Sequence, residues 1–344
     1  MSRRSLTLAI TGLATVAAIA VAVLFPVPYV ILTPGPTLNT LGKDSSGQLL
    51  ISVTGHPTYP TSGHLNLVTV SYEGGPGSDL NIFEALRAWL SPSEAVVPQT
   101  EIFPAGQSAQ ETQAQDTQQM ASSQELATAA ALSELHISYQ PQVEVVSTVA
   151  GYPASKSLKA GDVIEAVDGK PVTTPAALSS AITARPAGST LQLQVMRGTQ
   201  TLTVPVTSKA SNGTPVIGVQ VEQNYKFPFN VQISVGAIGG PSAGMMFALG
   251  IIDKLTPDNL TNGKFIAGTG EITASGQVGP IGGIQQKMVG ARDAGATVFL
   301  TPAGNCSETV GAVPAGLKIV KVSTLSQAVS DLEAIKAGKS VPSC

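Results

Sequence analysis

An uncharged run of twenty residues near the start of the chain constrains its fold more than any other feature. Leu6 to Phe25 reads LTLAITGLATVAAIAVAVLF. A helix rising about 1.5 Å per residue would cross the roughly 30 Å of a bilayer core over such a run. Arg3 and Arg4 precede it, and basic residues stay on the cytoplasmic side of a membrane. The sequence therefore predicts a single-pass anchor within residues 1–31, with the N-terminus cytoplasmic and the bulk of the chain extracytoplasmic.

A cleaved signal peptide is the alternative interpretation of the same run. Ala18-Ile19-Ala20 has the small residues of a cleavage site, but the apolar run is longer than a usual signal sequence core. A buried helix of a soluble protein is a third alternative. The basic start and the stop at Pro26-Val27-Pro28 argue against it.

Composition narrows the classes of partner and cofactor. A chain of 344 residues that is 43% hydrophobic and 12% charged can bury more than one core. Its formal net charge of -3 offers no basic surface for nucleic acid, so no nucleic-acid partner is expected. His56, His64 and His136 are scattered rather than clustered with cysteines, so we predict neither a metal site nor a cofactor.

The pattern along the chain predicts an α+β multidomain protein. Short alternating runs at Ile51–Gly55 and His64–Tyr72 predict strands. Ser108–Leu135 lacks Gly and Pro and predicts a helical connector. The predicted boundaries are 1–31 for the cytoplasmic stub and anchor, 32–138 for a β/helical region, 139–210 for a β module with short helices, and 211–344 for a final α/β domain.

The β module carries a recognisable central stretch. Ser157–Val172 reads SLKAGDVIEAVDGKPV, with Gly161-Asp162 opening a strand and Asp168-Gly169 in a hairpin turn. This stretch resembles the PDZ domains of bacterial proteases. The resemblance implies a domain that accepts a peptide C-terminus as an added strand, with a candidate carboxylate-binding loop near Val145–Ala150. The alternative is a β module that only supports the fold.

Ser242 lies in a turn whose composition suits a nucleophile. GGPSAGMMFALGIID places it just before an apolar helix, where free backbone N–H groups can face an oxyanion. Gly240–Gly244 also fits the G-x-S-x-G elbow of α/β-hydrolase esterases, which need a histidine after the serine. All three histidines precede Ser242, so that alternative lacks its base. A chymotrypsin-like order would use His56 or His64, and neither has a catalytic sequence around it.

Residues 270–305 read GEITASGQVGPIGGIQQKMVGARDAGATVFLTPAGN. Together with the GGPSAG turn they resemble the proteolytic domain of Lon proteases, a Ser-Lys family. The resemblance implies that Ser242 is the nucleophile, that Lys287 in G-G-I-x-x-K is the base, and that Thr269 helps to orient the lysine. It includes the P-x-x-N element at Pro302–Asn305. One departure is Gly239, where soluble Lon proteases often carry an acidic residue.

The anchor, the PDZ-like module and the Lon-like domain together resemble bacterial PDZ-containing Lon-like proteases over nearly the whole chain. The resemblance implies a serine endopeptidase, an oxyanion region at Gly240 and Ala243, and a homo-oligomer such as a hexameric ring. A Lys287 base must be neutral, and lowering its pKa from 10.4 to about 7 requires roughly 4 to 5 kcal/mol of desolvation. Its neighbours Ile284 and Met288 are apolar.

Several further expectations complete this interpretation. No nucleotide-binding G-x-x-x-x-G-K-[ST] motif is present, which predicts ATP independence and substrates that are unfolded, extended or presented at the membrane. Lys254 and Lys264 are expected to be solvated, and Glu271 stays unassigned. Cys306 and Cys344 can form one disulfide outside the cytoplasm or remain free thiols. The rival function is an inactive PDZ scaffold with a Lon-like fold.

Overall fold

The computed structural model describes residues 3–44, 46–104 and 106–344, so the first two residues of the predicted cytoplasmic stub lie outside the described residues. Its helices are α1 (Arg3–Leu24), α2 (Ile82–Trp89), α3 (Gln99–Ile102), α4 (Ala109–Glu134), α5 (Pro175–Thr183), α6 (Gly244–Leu255), α7 (Ile284–Asp293), α8 (Cys306–Thr309) and α9 (Leu325–Lys336). Short 3-10 helices cover Pro153–Lys156 and Ala303–Asn305.

The strands in chain order are β1 (Tyr29–Asn39), β2 (Ile51–Thr54), β3 (His64–Glu73), β4 (Ala95–Pro98), β5 (Gln140–Thr148), β6 (Val163–Val167), β7 (Lys170–Pro171), β8 (Thr190–Arg197), β9 (Gln200–Thr207), β10 (Lys209–Ser211), β11 (Thr214–Val216), β12 (Val219–Lys226), β13 (Asn230–Ile233), β14 (Phe265–Gly268), β15 (Glu271–Ile272), β16 (Val278–Gly279), β17 (Val298–Pro302) and β18 (Lys318–Val322).

The first helix has the dimensions of a membrane span. Arg3–Val23 of α1 is long and apolar enough to cross a bilayer, and its most apolar window is not buried inside the protein. A helix that is apolar all round needs an apolar surrounding, which this protein does not provide for α1. An uncleaved anchor and a signal sequence share these properties, and the orientation of the helix stays a prediction.

The described chain forms two compact units, whose boundaries differ from the predicted ones. The second unit is Ile137–Pro228, and the first combines residues 1–136 with Phe229–Cys344. The difference arises because β3 pairs in parallel with β14, with His64 opposite Phe265. This pairing puts the predicted 32–138 region and the predicted final domain into one sheet, so 32–138 is not a separate domain.

The sheet of the first unit runs in the order β18-β17-β14-β3-β1-β4 and is covered on both faces. Its first four strands are parallel, and β1 and β4 are antiparallel to their neighbours. Successive residues of a strand point to opposite faces. Ala267 packs in the cluster that contains Met288 of α7, whereas a Cβ on Gly268 would lie 2.8 Å from Met246 of α6. Helices α7 and α6 therefore lie on opposite faces.

Helix α6 is the most enclosed element of the first unit, since all its residues are buried. Helices α4 and α9 both contact it. The predicted helical connector is a single helix, α4, whose N-cap Ser108 accepts from the amide of Glu111 while the Glu111 carboxylate accepts from the amide of Ser108. This helix packs as part of the core instead of linking two domains.

The main sheet of the second unit has six antiparallel strands, five of them in the order β12-β5-β6-β8-β9 and the sixth, β7, paired with β6. Helix α5 packs on its core. The predicted hairpin turn lies between β6 and β7. Asp168 and Gly169 have φ angles of 50° and 76°, the left-handed pair that a tight two-residue hairpin requires. Asp162, at the predicted strand opening, is buried and accepts two hydrogen bonds of 2.7 Å from Arg197.

Strand β12 corrects the predicted end of this module at residue 210. Val216–Val221 was expected in the final domain, but β12 pairs antiparallel with β5 along its whole length. The pairing extends the sheet of the second unit to its edge at β12. The same pairing covers β5, so Val145–Ala150 cannot offer a free strand edge to a peptide.

The Asp162–Arg197 contact generates a prediction about stability. We expect Arg197→Met to lower the free energy of unfolding of the second unit by roughly 3 kcal/mol, because it leaves a buried carboxylate without its partner. Arg185→Met is the matched control, since Arg185 pairs with Asp168 at the surface and should contribute less than about 1 kcal/mol. Urea titrations of the full chain in detergent, followed by circular dichroism, measure both. Equal losses would contradict the assignment.

The difference in unfolding free energy between wild type and Arg197→Met should depend on pH. Hydrogen bonds from Arg197 are the main reason that the pKa of Asp162 lies below its usual value. A carboxyl with a lowered pKa stabilises the folded state above the pKa it has when unfolded, near 3.9, and loses that contribution as pH falls through its folded pKa. The difference between wild type and Arg197→Met should therefore be full at pH 7 and shrink below about pH 4.

Candidate active site

Ser242 lies in a turn that is hydrogen-bonded to the segment after β14. Its carbonyl oxygen accepts from the Thr269 hydroxyl at 2.9 Å and from the Gly270 amide at 2.8 Å. The amide of Met245 donates back to the Gly270 carbonyl at 3.0 Å. These bonds fix the backbone on both sides of the serine. The Ser242 side chain, which is half-buried, therefore leaves the turn in one defined direction.

Lys287 reaches this serine from the first turn of α7. Its Nζ lies 3.0 Å from the Oγ of Ser242, within hydrogen-bond distance. The helix starts after Gly283, whose φ of 67° is left-handed, and a Cβ there would lie 2.8 Å from the Val70 side chain. Glycine at this position lets the chain turn sharply into α7 against β3. That entry places Lys287, one turn later, opposite the serine.

Burial changes the acidity of this lysine. The side chain is 4% exposed, and desolvation lowers the pKa of Lys287 from 10.5 to about 8. The carboxylate of Glu271 acts in the opposite direction by favouring the charged amine. At pH 7 about one Lys287 in ten is neutral, compared with about one in three thousand for a lysine in water.

Ser242 and Lys287 line one cleft of about 530 Å³. Its walls are the second half of β3, one face of α4, the serine turn from Ala237 to Ala243, and the Ile281–Gly283 loop before α7. Glu271, left unassigned by the sequence, is also in the wall. The cleft is mostly apolar, and the polar groups converge near Ser242, which is the composition of a site that binds and orients a chain segment.

Helix α4 is the part of this site that the sequence analysis missed. The Gly240 amide donates to the Asp116 carbonyl at 2.9 Å, and the Ser123 hydroxyl donates to the Pro241 carbonyl at 3.0 Å. A Cβ on Gly239 would lie 2.6 Å from the Cβ of Asp116. A glycine at position 239 therefore leaves room for Asp116 of α4 to lie against the serine turn. Burial raises the pKa of Asp116.

The backbone amides near the serine differ in whether they are free to donate a hydrogen bond to an oxyanion. The Gly240 amide is engaged by Asp116, so in this structure it is not free to face an oxyanion. Among the described residues, the amides of Ser242 and Ala243 meet no hydrogen-bond acceptor. Ala243 is the N-cap of α6, where unpaired amides and the helix dipole favour a negative charge. Of the predicted oxyanion region, Ala243 is open and Gly240 is not.

Thr269 has a different partner from the predicted one. It is fully buried, and its hydroxyl donates to the Ser242 carbonyl rather than to the lysine. The contact orients the nucleophile turn, because it holds the carbonyl that precedes α6. Gly244, the second glycine of G-x-S-x-G, is explained by packing: a Cβ there would lie 2.7 Å from Ile272 and 2.9 Å from the Ser123 hydroxyl.

The P-x-x-N element holds the loop that precedes the helix of Lys287. Asn305 is buried, and its side chain accepts from the Ile281 amide at 2.9 Å and donates to the Ile281 carbonyl at 2.8 Å. This pair of bonds holds the loop that leads into α7. The next residue, Cys306, forms a disulfide with Cys344.

Other candidates lie away from the cleft or differ from expectation. None of the residues that line the cleft is a histidine, and His56 and His64 have backbone, asparagine and aromatic neighbours instead. Lys264 is exposed, as predicted. The prediction that Lys254 is solvated was wrong: it is 7% exposed, because α6 is covered on every side, and burial lowers its pKa.

Comparisons with known proteins identify two domains in the chain. The sequence profile of the Lon protease (S16) C-terminal proteolytic domain matches residues 172–334, and that of the PDZ domain matches residues 113–207. The chain therefore combines a Lon-type proteolytic domain with a PDZ domain.

Individual relatives match the chain over short stretches. Lon protease 1 of Bacillus subtilis is 34% identical over 94 residues, which is 27% of this chain and 12% of that protein. Lon protease of Syntrophomonas wolfei is 33% identical over 135 residues, 37% of this chain and 16% of that protein. The chain thus matches only a small part of the length of these relatives.

One solved structure matches a short part of the chain. The PDZ domain of the SdrC-like protein from Listeria monocytogenes is 27% identical and covers 23% of this chain and 85% of that one, with a TM-score of 0.22. The two matched profiles overlap at 172–207, whereas in the structure the PDZ sheet ends at β12.

The Thr269 contact generates a prediction about the serine. We expect Thr269→Val to slow the labelling of Ser242 by a serine-directed phosphonate about tenfold, the effect of losing one buried hydrogen bond of about 1.4 kcal/mol. Thr269→Ser keeps the hydroxyl and should label at nearly the wild-type rate. Labelling rates followed by mass spectrometry, on variants with unchanged circular dichroism, test this. An unchanged rate in Thr269→Val would remove the positioning role.

Proposed function

We propose that this chain is an ATP-independent, membrane-anchored serine endopeptidase that uses Ser242 as nucleophile and Lys287 as general base. The observation that carries the proposal is the 3.0 Å contact between Lys287 Nζ and Ser242 Oγ inside the cleft. Its support is the low exposure of the lysine and the match to the proteolytic domain of Lon proteases.

The proposed reaction follows from the positions of these groups. Neutral Lys287 accepts the hydroxyl proton as Ser242 Oγ attacks a peptide carbonyl carbon. The amides of Ser242 and Ala243 stabilise the oxyanion of the tetrahedral intermediate. The lysine then returns the proton to the leaving amine, and an acyl-enzyme remains. Water then attacks the ester carbonyl as Lys287 accepts its proton, and the lysine gives that proton to Ser242 Oγ as the carbon–oxygen bond to the serine breaks.

Desolvation supplies the neutral form of Lys287 that the first proton transfer requires. Lowering the pKa of Lys287 from 10.5 to about 8 corresponds to roughly 3 kcal/mol of lost preference for the charged form. The sequence led us to expect a larger shift, to a pKa of about 7. A substrate strand in the cleft excludes further water from the amine and would lower its pKa again.

The Ser242–Lys287 dyad generates a prediction about activity and its pH dependence. We expect casein cleavage without ATP to be lost in Ser242→Ala, in Lys287→Ala and in Lys287→Arg, whose guanidinium stays charged. Because the free enzyme must deprotonate a lysine of pKa about 8, kcat/KM should rise with pH and level off above about 8. Lys264→Met, at an exposed lysine of the same unit, is the control and should keep full activity.

Two results would contradict the dyad. Activity that survives Lys287→Ala would remove the proposed base, and a pH profile that levels off near 6 to 7 would indicate a histidine instead. No activity in wild type, with Ser242 also unreactive toward the phosphonate, would favour the rival function of an inactive PDZ scaffold.

The PDZ domain contributes a second site in the proposed function. A groove of about 320 Å³ lies between α5 and the Thr214–Val221 segment, with Leu178, Ile182 and Val219 among its apolar lining. Strand β12 is at the edge of its sheet, so its outer side can accept an added strand. We propose that this groove selects protein C-termini, with the loop ending at Gly218 in place of the predicted Val145–Ala150.

A peptide experiment tests that assignment. Peptides that end in an apolar residue with a free carboxylate should bind the full chain at least about tenfold more tightly than the same peptides ending in a carboxamide, because the amide loses a charge-assisted hydrogen bond. Ile182→Lys should abolish the difference, and Val146→Lys, on a half-exposed position of β5 outside the groove, should not. Fluorescence anisotropy measures both. Equal affinity of the two peptide forms would exclude C-terminal selection.

A further inference from the structure

Helix α2 exposes an apolar face of unusual size for a short surface helix. Phe83 is 48% exposed, Leu86 43%, Trp89 74% and the C-cap residue Leu90 83%. At about 100° per residue these four side chains fall within an arc of about 120°. Glu84 and Arg87 lie outside this arc. Glu84 accepts a hydrogen bond from the N-cap amide, and Arg87 pairs with Glu94.

The opposite face of α2 is fixed to the base of α1. Ala85 and Ala88 are buried, and Ala88 packs with Leu80 and Ile31 of β1 in one cluster. The Val27 amide donates to the Leu80 carbonyl at 2.8 Å. Helices α1 and α2 are also in contact. Val27 is three residues beyond the end of α1, so it lies within about 11 Å of that end, and its partner Leu80 is two residues before α2 begins.

We propose that this face of α2 lies in the interfacial layer of the membrane that α1 spans. The inference rests on the proposed membrane anchor. Two features select lipid as the occupant. The face continues the apolar surface of α1 through Phe25, which is 66% exposed. Its most exposed aromatic residue is a tryptophan, the side chain that favours the depth of the lipid headgroups.

A second attachment would fix the height of the cleft above the bilayer. Helix α1 alone attaches the first unit to the bilayer at one point, whereas α2 in the interface would attach the sheet at a second point through β1. Polypeptide segments at that height, close to the outer surface of the membrane, would then be the substrates that reach Ser242. This narrows the proposed substrate class to chains near the membrane.

The sequence offers a direct reporter, because Trp89 is the single tryptophan of the chain. We would reconstitute the full chain in phosphatidylcholine vesicles whose acyl chains carry bromine near the carbonyl. Trp89 should lose most of its fluorescence relative to vesicles of unbrominated lipid, and it should resist quenching by aqueous acrylamide. Phe83→Ser/Leu86→Ser/Leu90→Ser should reverse both results and shift the emission to longer wavelength.

A relocated tryptophan provides the matched control. Val310 is 79% exposed and follows β17, which β14 and β3 separate from β1. In Trp89→Phe/Val310→Trp the fluorescence should be insensitive to brominated lipid and sensitive to acrylamide. Equal lipid quenching at both positions would show that quenching does not report α2, and would overturn the inference.

The remaining outcomes separate this inference from the anchor. Trp89 quenched by acrylamide alone would place the face in water, and Trp89 quenched by neither agent would place it against protein, such as a second copy. Either result overturns the inference. The anchor is tested separately, and it is supported if the chain stays in the membrane fraction after carbonate extraction. Release of the chain by carbonate would overturn both, and proteolysis by Ser242 would then be tested separately in solution.

Discussion

The architecture of the first unit depends on keeping one amine out of water. Lys287 is buried by its position in α7, where Met288 and Ile284 face the same sheet that carries β3 and β14. Glycines allow the helices of this unit to pack closely against their neighbours. Gly283 lets α7 start beside β3, and Gly244 lets α6 start beneath α4. A larger side chain at Gly283 would push α7 away from β3, and one at Gly244 would push α6 away from α4. Either change would move Lys287 and Ser242 relative to each other.

The sequence was sufficient where function is encoded in contiguous residues. The serine turn and the G-G-I-x-x-K pattern each lie in one short segment, so Ser242 and Lys287 could be paired from motifs alone, and the structure places them in contact. The strands and turn of the PDZ module were likewise predictable, because alternation and an Asp-Gly turn are local signals.

Nonlocal features were not predictable in the same way. The parallel pairing of β3 with β14 joins residues about two hundred positions apart, and no periodicity records such a partner. For the same reason α4 was interpreted as a connector although Asp116 and Ser123 hold the serine turn. Lys254 was expected in solvent because it adjoins Asp253 on a helix face that was predicted to be exposed, whereas α4 and α9 both pack against α6 and Lys254 is buried.

The parallel pairing of β3 and β14 also sets the order in which the molecule can be completed. The PDZ unit, Ile137–Pro228, is an insertion between the two halves of the proteolytic unit. A chain that emerges N-terminus first therefore finishes its PDZ sheet while β3 still lacks its neighbour. Pairings of such long sequence separation form late and slowly. The cleft is completed last, so the PDZ unit of a nascent chain folds before the proteolytic unit does.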